Sequence, residues 1–474
     1  MKNPLRLLFR WIARRLARLG VVDEERGRRT ADLSWPRIVT GFARLTQRTA
    51  DVAMVGLFLG PQAIAGMALG SILYELSNSL ALGVAGGVIS QTSQRFGAGR
   101  VDELGTAFKQ GLLVSAAIAV PFSVVFWTFP RQLVGLFGVD PTTLGYGATY
   151  LQFLALGILP NFWNIASGRM LAGTDNTRIP MWIRATAASM NVVFNAVLIF
   201  GLGLGVAGAA LGTVLADLFA TACFARGFTT GRVPAVGAFP VRVDLSPPYF
   251  DAGLCRALLR LSIPLMLRRI AQSASKLPLY AVLAAFGPVV IAAYEIARRL
   301  QRQMNAPSWG FSVSASSLVG QHLGGGDESE AENYAWDIIR FSTVVYAVSA
   351  AFLVAFAAPL AHLFVRDPRA IAGTVPFVRA AGIALLASGI ERTVTGVLQG
   401  TGDTTWPFYG QVVGLYLFSI PIAYLGTVTA LGRTALYLSL VAETGVPALI
   451  VLYRFHSGRW REISRSFRPT PADD

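Results

Sequence analysis

Apolar stretches about one membrane thickness long recur along this chain. They fall near residues 36–59, 63–93, 106–129, 143–164, 180–202 and 206–226, and again near 262–286, 290–321, 333–357, 370–392, 407–427 and 433–453. Roughly 20 residues rising ~1.5 Å each cross a ~30 Å hydrocarbon core, so each stretch fits a transmembrane helix. Only short polar connections remain, which excludes a soluble protein; the 53% hydrophobic content and the mean hydropathy of +0.52 agree. A net charge of +15 would point a soluble chain toward nucleic acid. Here the arginines cluster in tails and in loops between apolar runs, so the lipid bilayer is the expected partner and nucleic acid is not.

The pattern restarts at a constant offset of 227 residues. LGPQAIA at 59–65 meets FGPVVIA at 286–292, Gln94 with Gly97 and Gly99 meets Gln321 with Gly324 and Gly326, Asp140-Pro141 meets Asp367-Pro368, and LAGTDNTRIP at 171–180 meets LQGTGDTTWP at 398–407. An even number of spans per half makes this a parallel repeat, a common plan for secondary transporters. The expected fold is an all-α integral membrane protein of 12 transmembrane helices, in two parallel six-helix lobes related by a pseudo-two-fold along the membrane normal. The expected parts are a basic amphipathic segment 1–35, an N-terminal lobe 36–228, a linker 229–257, a C-terminal lobe 258–455 and a tail 456–474. Basic residues fall mainly on one side: the N-terminal tail, the RFGAGR and GRMLAGTDNTR loops, the linker, and Arg459, Arg461, Arg465 and Arg468 of the tail. The chain is therefore expected to be a multi-pass protein of the cell membrane with both termini cytoplasmic. The acidic loop GGGDESEAE at 324–332 runs against this, but acids count little in the rule. In the first segment, Leu5, Leu8, Phe9, Ile12, Leu16 and Leu19 share a helical face opposite Arg6, Arg10, Arg14 and Arg18, which reads as a helix on an anionic membrane surface or as a disordered basic tail.

The charges inside the spans constrain function. A carboxylate near mid-membrane costs at least ~2.5 kcal/mol, so Asp51 in the first span faces a wet cavity or a packed interior and is a functional candidate by default. Arg48, three residues earlier on the same helix face, offers the alternative of a structural ion pair. If burial dominates, Asp51 carries a proton and releases it when its surroundings open to water; if Arg48 dominates, Asp51 stays ionised as a sodium ligand or an anchor. Glu295, Asp217 and Glu443 are further acids at membrane depth, each either on a transport pathway or paired with an arginine such as Arg298, Arg299 or Arg302. The repeat sets Glu75 opposite Arg302, a candidate pair across the lobes. Arg44, Arg48, Arg268, Arg269 and Lys276 form a basic set on the first and seventh spans. They either snorkel to the interface or neutralise acids, or they favour an anionic or zwitterionic substrate.

Enzyme chemistry finds no support. GLGVAG at 203–208 satisfies GxGxxG but lies in an apolar hairpin with no preceding strand, and no GxxxxGK[ST] occurs. His322, His362 and His456 are isolated, Cys223 and Cys255 belong to no CxxC, and no Ser/His/Asp or Cys/His set emerges. No cofactor is expected.

Pro36 fifteen residues before Asp51, ADVAMVG, GAGR after span two, GTDNTRIP before span five and NVVFNAVLIFGLGLGVAGAALGT across spans five and six together resemble the multidrug and toxic compound extrusion (MATE) family, over about residues 35–455. The resemblance implies a cation-coupled exporter of organic compounds, driven by Na⁺ or H⁺, alternating access between two lobes. It implies a coupling site at Asp51, Asn191, Asn195, Thr213 and Tyr150, with Na⁺ held by oxygens of Asp51, Asn191, Asn195 and Thr213, and a helix-bending role for Pro36. Asn195 stands where members of the family often carry an Asp, leaving one carboxylate and fewer places for protons. In the C-terminal lobe Gln272 replaces a Glu and Ser388 an Asp, with Glu391 one turn on as a substitute. Small-molecule substrates are expected, and a complete two-lobed pathway in one chain calls for no partner, so a monomer is expected. The rival readings are a lipid-linked oligosaccharide flippase of the same superfamily, a membrane-embedded enzyme and a passive channel.

Overall fold

The computed structural model describes residues 4–467 apart from 245, 248 and 366, and the side chains of all of these but residues 45, 369 and 467. The expectations for residues 1–3 and for 468–474 of the tail lie outside the described residues. After α1 (Pro4–Arg18) and α2 (Glu24–Leu59) come α3 (Pro61–Gly97), α4 (Val101–Thr128), the short α5 (Pro130–Gly135), α6 (Pro141–Ala155), α7 (Ile158–Gly173), α8 (Arg178–Asn195) and α9 (Gly205–Thr230). Then follow β1 (Arg232–Val233) and β2 (Gly237–Ala238), α10 (Ala252–Ala274), α11 (Lys276–Ala284), α12 (Pro288–Met304), α13 (Pro307–Gly324), α14 (Glu328–Ala355) and α15 (Ala357–His362). The chain closes with α16 (Pro368–Thr401), α17 (Thr405–Val412), α18 (Ile420–Val428), α19 (Arg433–His456) and α20 (Trp460–Phe467). π-helical turns continue α8 over Ala196–Gly201 and join α17 to α18 over Val413–Ser419.

The repeated sequence pairs act as helix starts. Gly60 and Gly287 take left-handed φ of 87° and 86°, and the prolines after them open α3 and α12, where a missing N–H costs nothing. Asp140 accepts from the backbone N–H groups of Thr142 and Thr143 at 3.0 Å, and Asp367 accepts from Ala370 N at 2.8 Å, so each Asp-Pro pair caps and starts a helix.

Among the described residues, eight helices are long and apolar enough to cross a membrane, matching the second, third, fifth, sixth and ninth to twelfth expected spans. The other four depart from the expectation. The first span carries Arg37, Arg44, Arg48 and Asp51 within α2. The fourth breaks at Leu156-Gly157 into α6 and α7, the seventh at Ser275 into α10 and α11, and the eighth at Asn305-Ala306 ahead of Pro307. The tenth runs as far as Thr401, well past the expected 392. The two short strands, an antiparallel hairpin pairing Arg232 with Ala238 and Val233 with Gly237, are a further addition to an otherwise helical chain.

The chain divides into two units, one of residues 36–266 and one of 4–35 with 267–467, so the division falls inside α2 at Pro36 and inside α10 after Met266. In the unit 36–266, helices approach through glycines: a Cβ on Gly66 would meet Gly147 N and Thr143 O at 2.7 Å, which sets the contact of α3 with α6. The linker is packed down there rather than free. Phe239 sits edge-on to Phe228, Val241 and Val243 are buried with it, and Lys109 Nζ donates to Ser246 O at 2.6 Å.

In the other unit, Gly310 approaches Ser34 so closely that a Cβ would lie 2.7 Å from its carbonyl oxygen, and the hydroxyls of Ser34 and Ser314 lie 2.9 Å apart. Arg26 Nε donates to Asp337 at 2.6 Å. The α1 helix forms as its sequence spacing predicts, but its apolar face is split. Phe9, Ala13 and Leu16 are buried, Phe9 against Phe311 and Phe341, while Leu8 and Leu19 stay exposed. Asp32 takes Arg6 at 3.1 Å and also Arg10, so part of the basic face is neutralised within the protein.

Candidate functional site

Asp51 lies in α2, 7% exposed, with α8 and α9 supplying its polar neighbours. Asn191 and Asn195 are one turn apart on α8, so their amides share a face, and both are fully buried. Asn195 Nδ2 donates to Asp51 Oδ1 at 2.6 Å. The Asn191 amide nitrogen donates to the same oxygen at 2.9 Å, and its oxygen accepts from Gln47 Nε2 (3.3 Å) and from the hydroxyl (3.1 Å) and N–H (3.2 Å) of Thr213.

Asn195 Oδ1 is buried without a hydrogen-bond partner among the described residues. An orphaned oxygen beside a carboxylate, with Thr213 Oγ1 close by, is a donor set that suits a hard cation or a proton-bearing water. Tyr150, the fifth expected member, packs its ring among Val55, Met67 and Ala210, near enough to Asp51 to feel its charge. Two residues of this site were not expected. Gln47 stands one turn before Asp51 on the same helix, a spacing visible in the sequence. Gly212 is needed because a Cβ there would lie 1.9 Å from Asn195 Oδ1, which no sequence pattern announces.

Arg48 does not pair with Asp51; its guanidinium forms an ion pair with Glu75 on α3, both groups half exposed. Glu75 therefore finds its partner inside its own unit, and Arg302 lies 3.5 Å from Glu295. Asp217 on α9 takes Arg184 at 3.3 Å and the Asn164 amide at 3.4 Å. In the other unit Glu443 takes Arg298 at 2.9 Å, and Glu391 pairs with Arg268 and accepts from Thr395 Oγ1 at 3.0 Å. The basic set expected along the first and seventh spans thus disperses: Arg48 and Arg268 are ion-paired and Lys276 is exposed at the start of α11. Gln272 is half buried, its carbonyl accepting from the Ser275 hydroxyl, and Ser388 Oγ accepts from Asn305 Nδ2 at 3.0 Å.

Pro36 sits inside α2 without a backbone N–H to give, and Thr40 Oγ1 bonds back to its carbonyl at 2.9 Å. Next to the Asp51 group is a small cavity among α2, α8 and α9, about 30 Å³ of space for water centres, lined by Thr40, Arg44, Gln47, Arg184, Thr213 and Asp217. No group of three or more His, Cys, Asp or Glu side chains able to hold a metal ion occurs among the described residues.

A family model described as MatE matches residues 36–197 and again 264–425, once in each half of the repeat. The probable multidrug resistance protein NorM of Rhodopseudomonas palustris is 26% identical over 433 residues, 90% of this chain and 90% of that protein. A crystal structure of MATE in the bent conformation superposes with a TM-score of 0.83 at 19% identity, covering 98% of this chain and 100% of the other. A MOP superfamily transporter from Pyrococcus furiosus, described as having a binding pocket of reversed polarity that suggests a different function, superposes at 0.82 with 20% identity over 92% of this chain and 96% of the other. At these identities the solved structures show the fold.

Proposed function

This chain belongs to the MatE family, whose members are multi-pass transporters of the cell membrane and not enzymes, and on that premise we propose that it exports small organic compounds by antiport with Na⁺ or H⁺. The name of the Rhodopseudomonas palustris relative supports drug-like cargo. In this reading the chain spans the membrane twelve times as a monomer of two parallel lobes, with both termini cytoplasmic, and the lobes rock around a central pathway while α2 bends at Pro36. The observation that carries it is Asp51, buried with two amides on one carboxylate oxygen and with the orphaned Asn195 Oδ1 beside it. A membrane-depth carboxylate held this way exchanges a cation for water as access alternates. Na⁺ would be held by Asp51, Asn191, Asn195 and Thr213 oxygens; a proton needs only Asp51. One charge crossing ~100 mV gains ~2.3 kcal/mol, enough for a roughly 50-fold gradient of a neutral compound.

The test is efflux from reconstituted vesicles of one cationic and one anionic fluorescent compound under imposed Na⁺ or H⁺ gradients, for wild type and Asp51→Asn. Gradient-driven export that Asp51→Asn abolishes is expected, and the gradient that drives it names the ion. Absence of movement of either dye under either gradient refutes the reading and turns attention to lipid-linked substrates.

A further inference from the structure

The cavity beside the Asp51 group has a charge surplus that coupling does not use. Arg44 and Arg184 line it, with Asp217 as the one acid, and Arg37 stands two turns before Arg44 on the same face of α2, close enough for its charge to act on Arg184. Asp217 Oδ1 is already engaged by Arg184 and Asn164. Neither Arg37 nor Arg44 has an ion pair or side-chain hydrogen bond among the described residues, so Arg44 and Arg184 share the one carboxylate of Asp217, and Arg37 adds its charge beside Arg184. Two uncompensated cations in a membrane-spanning unit are costly unless a counter-charge joins them. An arginine fork matches a planar or spherical anion better than it matches water.

We propose that this cavity among α2, α8 and α9 is an anion site, in which Arg44 and Arg184, with Arg37 behind them, hold a small anion or the acidic group of an organic compound. The two sources share one chemistry: a compact negative charge of carboxylate or chloride size, which the space for about two waters admits. The site sits directly beside the cation group, because Thr213 and Gln47 line the cavity and also bond Asn191. The inference goes beyond ion-coupled export and does not depend on it, since binding is read without any gradient.

The experiment is calorimetric titration of the purified full-length protein in neutral-lipid nanodiscs, in low-salt buffer, with chloride, benzoate, benzamide and benzylammonium. Wild type is expected to bind chloride or benzoate saturably, and neither benzamide nor benzylammonium. Arg44→Gln weakens that binding at least 10-fold, and Arg131→Gln, an exposed residue of α5, leaves it unchanged. Chloride alone marks a free anion, and benzoate in preference marks the acid group of an organic compound. No saturable anion binding by wild type, or wild-type affinity retained in both Arg44→Gln and Arg37→Gln, overturns the site. The wild-type series decides the matter even where a variant fails to fold. Export lost in vesicles with anion binding intact sinks the antiport reading alone.

Discussion

A single methyl group at Gly212 probes the Asp51 group most directly. A Cβ there meets Asn195 Oδ1 at 1.9 Å, Asn195 Cγ at 3.0 Å and Asn195 N at 3.1 Å, so something must move. Asn195 is fully buried, which leaves its amide to swing off Asp51 or α9 to shift away from α8. The first response breaks the 2.6 Å bond to the carboxylate. A hydrogen bond to a charged group contributes ~1.5–3 kcal/mol, so cation affinity shifts roughly 10- to 150-fold, downward for Na⁺, which also loses the Asn195 oxygen, and upward for H⁺, because the ionised carboxylate loses a donor. Overpacking adds a loss of stability of ~1–3 kcal/mol. Gly66→Ala is the comparison, because its Cβ runs into Gly147 N and Thr143 O at 2.7 Å and involves none of the Asp51 contacts. Measuring the cation concentration for half-maximal efflux alongside thermal unfolding separates the two effects. Both variants should unfold earlier, and only Gly212→Ala should shift its cation dependence, toward more Na⁺ or toward less H⁺. A Gly212→Ala protein with lowered Tm and wild-type cation dependence would refute the argument that Asn195 holds the coupling group.

The remaining expectations concern the ion pairs. Arg454 Nε lies 2.5 Å from Asp403, both side chains buried, so Arg454→Met should cost about 3–5 kcal/mol in unfolding experiments and Arg454→Met/Asp403→Leu should recover most of it. Arg48→Gln removes only a half-exposed partner of Glu75, so it should change stability by less than ~1 kcal/mol and leave gradient-driven export in place; export lost with Arg48 would restore a role for it beside Asp51. Burial alone would push the Asp32 carboxyl up, but hydrogen bonds from Arg10 and Arg6 hold it below the usual carboxylate range. A depressed carboxylate contributes stability above its unfolded value, near 3.9, and loses it as pH falls through the folded value. Acid below about pH 4, or Asp32→Asn at neutral pH, should therefore loosen α1 by an amount on the order of 1 kcal/mol after solvent screening, read as faster proteolysis within α1.

Much of the architecture was legible because its causes are local. Hydropathy runs and the 227-residue repeat can be read along the chain, and the structure uses the repeated pairs Gly60-Pro61, Gly287-Pro288, Asp140-Pro141 and Asp367-Pro368 as helix starts in both halves. The breaks in the fourth and seventh spans were not legible, since Leu156-Gly157 and Ser275 are ordinary in an apolar stretch, whereas the eighth breaks at Asn305-Ala306 ahead of Pro307, a helix breaker the sequence shows. The strand hairpin went unseen for a related reason: Phe239 packs on Phe228 through the absent side chain of Gly227, a contact between a helix end and a loop.

By itself the sequence determined that the chain lives in a bilayer, that its two halves repeat and that Asp51 is a carboxylate inside a span, while the family resemblance named Asn191, Asn195 and Thr213 as its expected companions. Periodicity says which face of a helix a residue occupies and is silent on what stands opposite. The tertiary structure alone decided that Arg48 belongs to Glu75, 27 residues on, and that Arg268 belongs to Glu391, 123 residues on. It also decided that Asn195 reaches Asp51 because Gly212 leaves room for its amide. Ion pairs and close approaches depend on which helix packs against which, and that is a property of the whole fold.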